Sequence, residues 1–286
     1  MSREIALDSP GWARAALSAD DFQRARTLLR SIAGISLNDS KKMMVASRLA
    51  KRLRAMGLDS FPAYLDRVEA ESEEWPHFVN ALTTNLTAFF REPYHFPILL
   101  EHVMKKHAEA PGRPITVWSA GCSTGQEPYS MAMAFAEAFG TLSFPVRIVA
   151  SDIDTDALAY AERATYPLAK LEGLEPARLK RFFLRGTGAN EGLARIHPDL
   201  RARVEFKRIN LSESTWPVPE SIAAIFCRNV MIYFSRDTQA ALVRRFAQRL
   251  SPDGLLFAGH SENLHYVAGD LYRACGRTVY RVVAKS

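Results

Sequence analysis

The chain has 286 residues, 48% of them hydrophobic and 24% charged, which is ordinary for a soluble globular protein of one large domain or two smaller ones. Its three cysteines lack C-x-x-C spacing and suggest neither a disulfide framework nor a metal site. No signal-peptide pattern and no apolar run near the roughly 20 residues of a membrane span occur, so we expect a cytoplasmic protein without membrane insertion. The net charge of +6 suits an acidic partner but does not choose among nucleic acid, membrane surface and acidic protein.

The N-terminal third predicts a small helical domain, because from Ser18 to about His107 apolar residues recur at helical spacing and glycine is scarce. The first helix is predicted to begin near Asp20 and Asp21 and to bury one stripe, formed by Phe22, Ala25, Leu28, Leu29 and Ile32. A second helix follows, with Asp39 or Ser40 as its N-cap and Gly57 as its stop. Two more are predicted in "FPAYLDRVEAE" and "EWPHFVNALTT".

The second predicted helix has a basic face, formed by Lys41, Arg48, Lys51 and Arg54. A separate face of the same helix carries Val45, Leu49 and Leu53. Such a basic face is either solvated surface or a docking surface for an acidic partner.

After "APGRP" at residues 110–114 the pattern changes to strands that alternate with helices. Short β-rich runs are "ITVWSAG", "VRIVASD", "VEFKRINL", "AIFCRN" and "GLLFAGH", with "LYRACG" and "TVYRVV" as a closing pair. The helices among them include "EPYSMAMAFAEAF" and "RDTQAALVRRFAQRL". This alternation predicts an α/β fold with a doubly wound, mostly parallel sheet.

The stretch "WSAGCSTGQEP", residues 118–128, fits two site types. As G-x-S-x-G it would expose Ser123 as a hydrolase nucleophile, with Asp152 and His260 completing a triad in a permitted chain order. The absence of predicted strands before Ile115 argues against that reading. As a cofactor loop it would use Gly121 and Gly125 to let the backbone approach a nucleotide-like ligand, and Asp152, 27 residues after Gly125, would reach ribose hydroxyls.

Five blocks in order resemble the chemotaxis receptor methyltransferases called CheR: "ALTTNLTAFFRE" (81–92), "VWSAGCSTGQEPYSMA" (117–132), "ASDIDTDAL" (150–158), "RGTGANEGLARI" (185–196) and "IFCRNVMIYF" (225–234). The resemblance covers nearly the whole chain from about Ser18. It implies an S-adenosylmethionine-dependent methyltransferase fold and transfer of a methyl group to glutamate side chains of chemoreceptors, with S-adenosylhomocysteine as product. One departure from the wider methyltransferase pattern is the missing acidic residue at the start of the glycine loop, where Ser119 stands.

Carried over by motif, the implied cofactor contacts are Asn85, Thr87, Arg91, Glu127, Asp152, Asn210, Leu211, Cys227 and Arg228. Arg91 and Tyr233 are our candidates for orienting the substrate carboxylate, which needs no strong base because it is already ionised. The alternatives are a helix-capping role for Arg91 and a packing role for Tyr233. No metal is expected.

The resemblance also implies an organisation into domains and partners. We expect a helical substrate-recognition domain at 18–90, a connecting helix and linker at 91–114, and a methyltransferase domain at 115–286. A small antiparallel β insertion at about 183–206 would dock the C-terminal tail of a receptor by β-augmentation. In the implied substrate, acidic methylation helices would be attracted by Lys41, Arg48, Lys51 and Arg54. We expect a monomer whose partner is the cytoplasmic domain of chemoreceptors and not nucleic acid.

Two other classes stay open on the sequence. A nucleic-acid methyltransferase would suit the net charge, but the basic residues concentrate on one helix and not along a groove with aromatic residues. A non-catalytic scaffold that keeps its cofactor for stability would share every motif above.

Overall fold

The computed structural model describes residues 16–264 and 269–283. The chain forms two compact units, divided between Thr83 and Thr84. Within the described ranges, no helix has both the length and the apolar character needed to cross a membrane.

The N-terminal unit is helical, with α1 (Ala19–Ala33), α2 (Lys42–Met56), α3 (Phe61–Ala70) and α4 (Trp75–Leu82). Ser18 caps α1 by accepting a hydrogen bond from the amide of Asp21, and Gly34 and Gly57 end α1 and α2 in the left-handed conformation. The core takes the predicted apolar faces: Phe22, Ala25 and Leu29 of α1 and Val45, Leu49 and Leu53 of α2 are buried. Leu28 and Ile32 flank this face and are half-buried.

The predicted N-cap of α2 was wrong. A 3-10 turn, Asp39–Lys41, precedes the helix, which begins at Lys42 with no side-chain cap. The Ser40 hydroxyl donates to Asn38 Oδ1 at 2.6 Å, and the Asp39 carboxylate pairs with Arg26 at 2.6 Å. Both candidate caps are therefore engaged elsewhere.

The C-terminal unit is α/β. Its strands are β1 (Ile115–Ala120), β2 (Val146–Asp152), β3 (Thr165–Pro167), β4 (Phe183–Arg185), β5 (Leu193–Ile196), β6 (Val204–Arg208), β7 (Ile222–Cys227), β8 (Leu250–Ala258), β9 (Tyr272–Gly276) and β10 (Val279–Val282). Its helices are α5 (His95–Glu109), α6 (Gln126–Ala138), α7 (Thr155–Arg163), α8 (Pro176–Phe182), α9 (Pro198–Arg201) and α10 (Arg236–Arg249).

Seven strands form a large sheet in the order β6-β2-β1-β7-β8-β10-β9. The five strands from β6 to β8 are parallel, and β10 runs antiparallel to both β8 and β9. Every residue of β1 and β7 is buried, as expected for central parallel strands covered on both faces. The predicted doubly wound, mostly parallel sheet is confirmed.

A second, antiparallel sheet has the order β3-β5-β4. It is the small β insertion expected from the sequence, but its limits differ from 183–206. Its first strand, Thr165–Pro167, directly follows α7, and Val204–Arg208 belongs to the large sheet. Three residues ending in proline give no alternation pattern, which is why this edge strand was missed.

Candidate active site

The C-terminal ends of β1, β2 and β7 lie side by side at one edge of the large sheet. β1 pairs with β2 up to Ala120↔Ser151 and with β7 up to Ser119↔Phe226. From β1 the chain adds β2 and β6 on one side and later β7 and β8 on the other, so the strand order reverses between β1 and β7. Open parallel sheets bind ligands at such a switch point. The topology thus brings the segments that follow these strands to one place.

The loop after β1 depends on two glycines. Gly121 has φ +97° and Gly125 has φ +93°, values that favour glycine. A Cβ at Gly121 would lie 2.3 Å from Val230 Cγ2, and one at Gly125 would lie 2.8 Å from Ala161 Cβ. Neither position has room for a side chain. The backbone therefore stays bare where β1 ends, which suits the close approach of a nucleotide-like cofactor.

Asp152 ends β2 next to this loop and is half-buried. Its Oδ2 accepts a hydrogen bond from the amide of Ser123 at 2.7 Å, and its Oδ1 accepts from the amide of Asp154 at 3.0 Å. Burial raises the pKa of Asp152 to about 6, although both backbone donors oppose the rise. The carboxylate stands at the strand end where ribose hydroxyls are bound in this class of sheet.

Asn85 lies on the Asp152 side of the loop. Its Nδ2 donates to Asp154 Oδ2 at 2.7 Å, and its Oδ1 accepts from the Ser123 hydroxyl at 2.9 Å. Thr87 is half-buried two residues further on. The segment predicted to touch the cofactor is thus joined to the ends of both β1 and β2.

The hydrolase reading finds no support in this geometry. The Ser123 hydroxyl donates to Asn85, and Asp152 accepts the backbone amide of Ser123. The ring nitrogen Nδ1 of His260 lies 3.1 Å from Glu92 Oε1. Ser123, Asp152 and His260 do not form the hydrogen-bonded chain from acid through histidine to serine that a catalytic triad requires.

Glu127 and Arg228 form a buried ion pair below the loop. Arg228 Nε donates to Glu127 Oε2 at 2.7 Å, and the Ser119 hydroxyl donates to Glu127 Oε1 at 2.7 Å. The side chain of Arg228 is 2% exposed and that of Glu127 is 9% exposed. Arg228 also donates to the carbonyl oxygen of Arg91 at 2.5 Å. The pair therefore ties the end of β7 to β1, to the first turn of α6 and to the segment that carries Arg91.

Sequence reasoning missed Glu92 and His95, which extend this network. Burial opposes ionisation of Glu92, but hydrogen bonds from His260 and the charge of Arg228 outweigh it and hold the pKa of Glu92 below its ordinary value. Burial and the charge of Arg228 lower the pKa of His95 to about 4, so its imidazole is neutral. Its Nε2 lies 3.2 Å from the carbonyl oxygen of Arg277, which assigns the proton to Nε2 and leaves Nδ1 to accept from Arg228 at 3.2 Å. The signal available in the sequence was only the ionisable pair E-x-x-H after Arg91.

At the end of β7 the chain passes from buried to partly exposed residues. Cys227 is fully buried, and burial raises the pKa of its thiol. The first partly exposed residues are Asn229, with φ +60°, and Val230, which contacts the glycine loop. Neither was among the predicted contacts, although both lie in the quoted block "IFCRNVMIYF". Tyr233 closes a 3-10 turn just beyond them and is half-buried.

Asn210 and Leu211 follow β6, the neighbour of β2. Asn210 Oδ1 accepts from the amide of Ser212 at 3.0 Å, and the carbonyl oxygen of Leu211 accepts from Arg245 at 3.1 Å. The Arg245 guanidinium also lies 3.9 Å from the centre of the Trp216 ring. This loop is therefore held from α10.

Arg91 lies in the segment before α5 and is half-buried. Its Nη1 donates to the carbonyl oxygen of Leu86 at 2.9 Å, which engages one of its five N–H donors. Its backbone is fixed by Arg228.

The basic face of α2 divides in the structure. Arg48 is half-buried and donates to the carbonyl oxygens of Ala81, at 3.4 Å, and Thr83 at the end of α4. The exposed members are Lys41, Lys51 and Arg54. Lys41 lies in the 3-10 turn before the helix. Arg48 therefore holds the end of α4 within the helical unit, independently of any role of the three exposed basic residues.

Comparison with known proteins identifies the two units. Residues 20–83 match the CheR methyltransferase all-alpha domain, and residues 85–280 match the CheR methyltransferase S-adenosylmethionine-binding domain. The second match covers the glycine loop, Asp152 and the end of β7, so the cofactor is S-adenosylmethionine. The bare loop and the carboxylate at the end of β2 suit a cofactor of this kind.

Relatives agree over nearly the full length. The chain is 51% identical over 269 residues to the chemotaxis protein methyltransferase of Salmonella typhimurium, covering 93% of this chain and 91% of that protein. It is 50% identical over 264 residues to chemotaxis protein methyltransferase 2 of Pseudomonas aeruginosa, covering 91% and 92%. The Escherichia coli chemotaxis protein methyltransferase is 47% identical over 269 residues, covering 93% and 92%. The resemblance found in the sequence is confirmed, and the chain belongs to the CheR family of chemotaxis methyltransferases.

Proposed function

We propose that this methyltransferase modifies glutamate side-chain carboxylates in the cytoplasmic domain of chemoreceptors, giving methyl esters and S-adenosylhomocysteine. The relatives are named for chemotaxis, which supports a receptor of that pathway as substrate. The observation that carries the proposal is that three segments meet at the carboxyl ends of the central strands. The loop after β1 lies between Asp152, at the end of β2, and the end of β7. The segment after β7 carries Tyr233 and is bonded through Arg228 to the carbonyl oxygen of Arg91.

S-adenosylmethionine supplies the chemical activation, a methyl group on a sulfonium that a nucleophile can take without further help. We assign the binding of its nucleoside part to Gly121, Gly125, Asp152 and Asn85. The remaining work of the protein is to hold the acceptor oxygen in line at about 3 to 3.5 Å from the methyl carbon.

A carboxylate acceptor suits the donors of Arg91, in the segment before α5, and of Tyr233, in the segment after β7. Glutamate is ionised at neutral pH, so no strong base is required. Arg91 has N–H donors beyond the one given to Leu86, and the Tyr233 hydroxyl can donate one more hydrogen bond. Donors of this kind orient an anion. His95, the buried imidazole nearby, is neutral and already bonded on both nitrogens, which makes it a poor proton acceptor.

Labelled methyl transfer from S-adenosylmethionine tests the proposal. The full chain should label a chemoreceptor cytoplasmic domain and not RNA, and alkali should release the label as methanol because a methyl ester hydrolyses readily. Tyr233→Phe should slow transfer to the receptor, whereas Tyr160→Phe, a half-buried control on α7, should not. Alkali-stable label on the receptor, or label on RNA, would contradict the proposal.

The small sheet supports a second contact with the receptor. Its order leaves β3 and β4 as edge strands, and Leu184 on β4 is 49% exposed. We propose that a receptor C-terminal tail adds to the edge of β4 by strand pairing. The amide of Arg185 on β4 points away from β5, since its neighbours Leu184 and Gly186 occupy the positions hydrogen-bonded to β5. Titration of the full chain with a tail peptide should show binding that Arg185→Pro removes; equal affinity for the variant would contradict strand addition at β4.

A further inference from the structure

The carboxylate of Glu262 lies beneath the segment that carries Tyr233. It is 6% exposed and follows β8 by four residues. Its Oε2 accepts hydrogen bonds from the amides of Asn229, at 2.8 Å, and Gly259, at 2.6 Å. Its Oε1 accepts from the amide of Ile232 at 3.3 Å. One buried side chain thus joins the end of β8 to two amides of the segment after β7.

The same segment is held from its other side by α10. The side-chain amide of Gln239 donates to the carbonyl oxygens of Met231, at 2.9 Å, and Phe234, at 3.0 Å. Glu262 therefore accepts from the amides of this turn while Gln239 donates to its carbonyls. Together they fix a backbone that includes Asn229 in the left-handed region, an uncommon conformation for a residue with a side chain.

We propose that Glu262 is a positioning residue for methyl transfer, which it serves by fixing the segment from Asn229 to Tyr233 relative to the glycine loop. The proposal rests on the proposed function for the role of Tyr233. It assigns Glu262 no contact with substrate or cofactor.

The physical reason is the geometric demand of the reaction. Displacement of a positioning group by about 1 Å can cost a hundredfold in rate. Val230 lies against Gly121, so movement of this segment would shift Tyr233 relative to the cofactor loop. A carboxylate is suited to the task because it accepts several N–H donors at once without offering a donor of its own. Burial raises the pKa of Glu262, and the backbone donors oppose that rise.

The alternative is that Glu262 contributes to folding alone, and Glu74 offers the matched control. Glu74 is 5% exposed in the helical unit and accepts hydrogen bonds from Arg52 and Tyr64. Glu74→Gln should therefore cost stability without changing the segment after β7.

The experiment compares Glu262→Gln, Glu262→Ala and Glu74→Gln with the wild type in the full chain. Glutamine keeps one acceptor oxygen, which can serve Asn229 and Gly259, but turns an NH₂ group toward the Ile232 amide. We expect kcat to fall about tenfold in Glu262→Gln and about a hundredfold in Glu262→Ala. The dissociation constant of S-adenosylhomocysteine and the KM for the acceptor should change less than about threefold, since only transition-state alignment is lost.

Amide hydrogen exchange at Asn229 and Ile232 supplies a readout that does not depend on the acceptor. Both amides should exchange faster than in the wild type in Glu262→Ala and at the wild-type rate in Glu74→Gln. The rate comparison is made on whichever acceptor the wild type methylates, so a failure of the receptor assignment is visible in the wild type and separate from a failure here. Unchanged exchange at the two amides, or a kcat loss in Glu74→Gln equal to that in Glu262→Gln, would overturn the proposal.

Discussion

The two halves of the sheet edge are built differently. The cofactor half, at the ends of β1 and β2, consists of a bare backbone loop at Gly121 and Gly125 and a single carboxylate, Asp152. The other half, at the ends of β7 and β8, is where we propose that the acceptor binds, and we call it the acceptor half. It is held by buried side chains, above all Arg228 and Glu262. Both halves use bonds between residues far apart in the chain. They differ in that the cofactor half leaves backbone and a half-buried carboxylate facing the loop, whereas in the acceptor half the fixing side chains are buried.

The largest effect should come from the ion pair that joins the halves. Glu127→Gln leaves Arg228 buried beside a neutral amide, and removing one partner of a buried pair costs about 3 to 5 kcal/mol of unfolding free energy. Glu137→Gln, which disturbs a partly exposed pair with Arg178, should cost about 1 kcal/mol or less. Urea denaturation would measure both. Equal losses of unfolding free energy would show that the Glu127–Arg228 pair contributes no more to stability than a partly exposed ion pair.

The glycine loop can be tested by a pair of substitutions that share a positive φ. Gly121→Ala adds a Cβ 2.3 Å from Val230, whereas Gly140→Ala, at φ +70°, meets nothing within 4 Å. Both should carry backbone strain of about 1 to 2 kcal/mol. Only Gly121→Ala should also weaken binding of S-adenosylhomocysteine, by about tenfold or more in calorimetric titration. Unchanged affinity in that variant would mean that the loop tolerates a side chain.

The raised pKa of Asp152 predicts a pH dependence confined to the cofactor half. Ribose hydroxyls donate best to the ionised form, so affinity for S-adenosylhomocysteine should be full above pH 7. It should fall as the pH drops through about 6, approaching tenfold per pH unit below that value. In the free protein the sign is opposite: because the folded-state pKa lies above the unfolded one, protonation of this group favours the folded state between about pH 6 and 4.

Asp152→Asn provides the control for this titration. Its affinity should be lower at neutral pH and nearly flat between pH 5 and 7. A wild-type affinity that stays constant over the same range would separate Asp152 from cofactor binding.

The smallest effect is expected from the basic face of α2, which belongs to neither half. Because Arg48 is bonded to the end of α4, the informative change is Lys51→Glu with Arg54→Glu. We expect a rise of a few-fold in KM for the receptor, with cofactor affinity unchanged and less dependence of the rate on salt. A KM and a salt dependence equal to those of the wild type would show that this face is ordinary solvated surface.

The same contrast explains what could be predicted from the sequence. Glycine spacing, a strand-end aspartate and strand alternation are local signals, and Gly121, Gly125, Asp152 and the parallel sheet follow from them. Glu262 gave no signal because, besides the nearby amide of Gly259, it accepts from backbone amides 30 and 33 residues away in sequence, which no motif encodes.

Arg228 shows what a motif does not specify about its residues. It lies in a quoted block and was predicted to contact the cofactor, yet its guanidinium is buried against Glu127 and the Arg91 carbonyl oxygen. The partly exposed residues of that block are its neighbours Asn229 and Val230. The burial of each residue depends on how the sheet edge packs, and a motif does not give it.

The division into halves is tested most directly by titrating S-adenosylhomocysteine into Asp152→Asn and Tyr233→Phe under the same conditions. Asp152→Asn should weaken binding at least tenfold, because a ribose acceptor loses its charge. Tyr233→Phe should bind within about twofold of the wild type while transferring methyl more slowly, since its hydroxyl acts on the acceptor carboxylate. Comparable losses of cofactor affinity in the two variants, or a larger loss in Tyr233→Phe, would contradict the account.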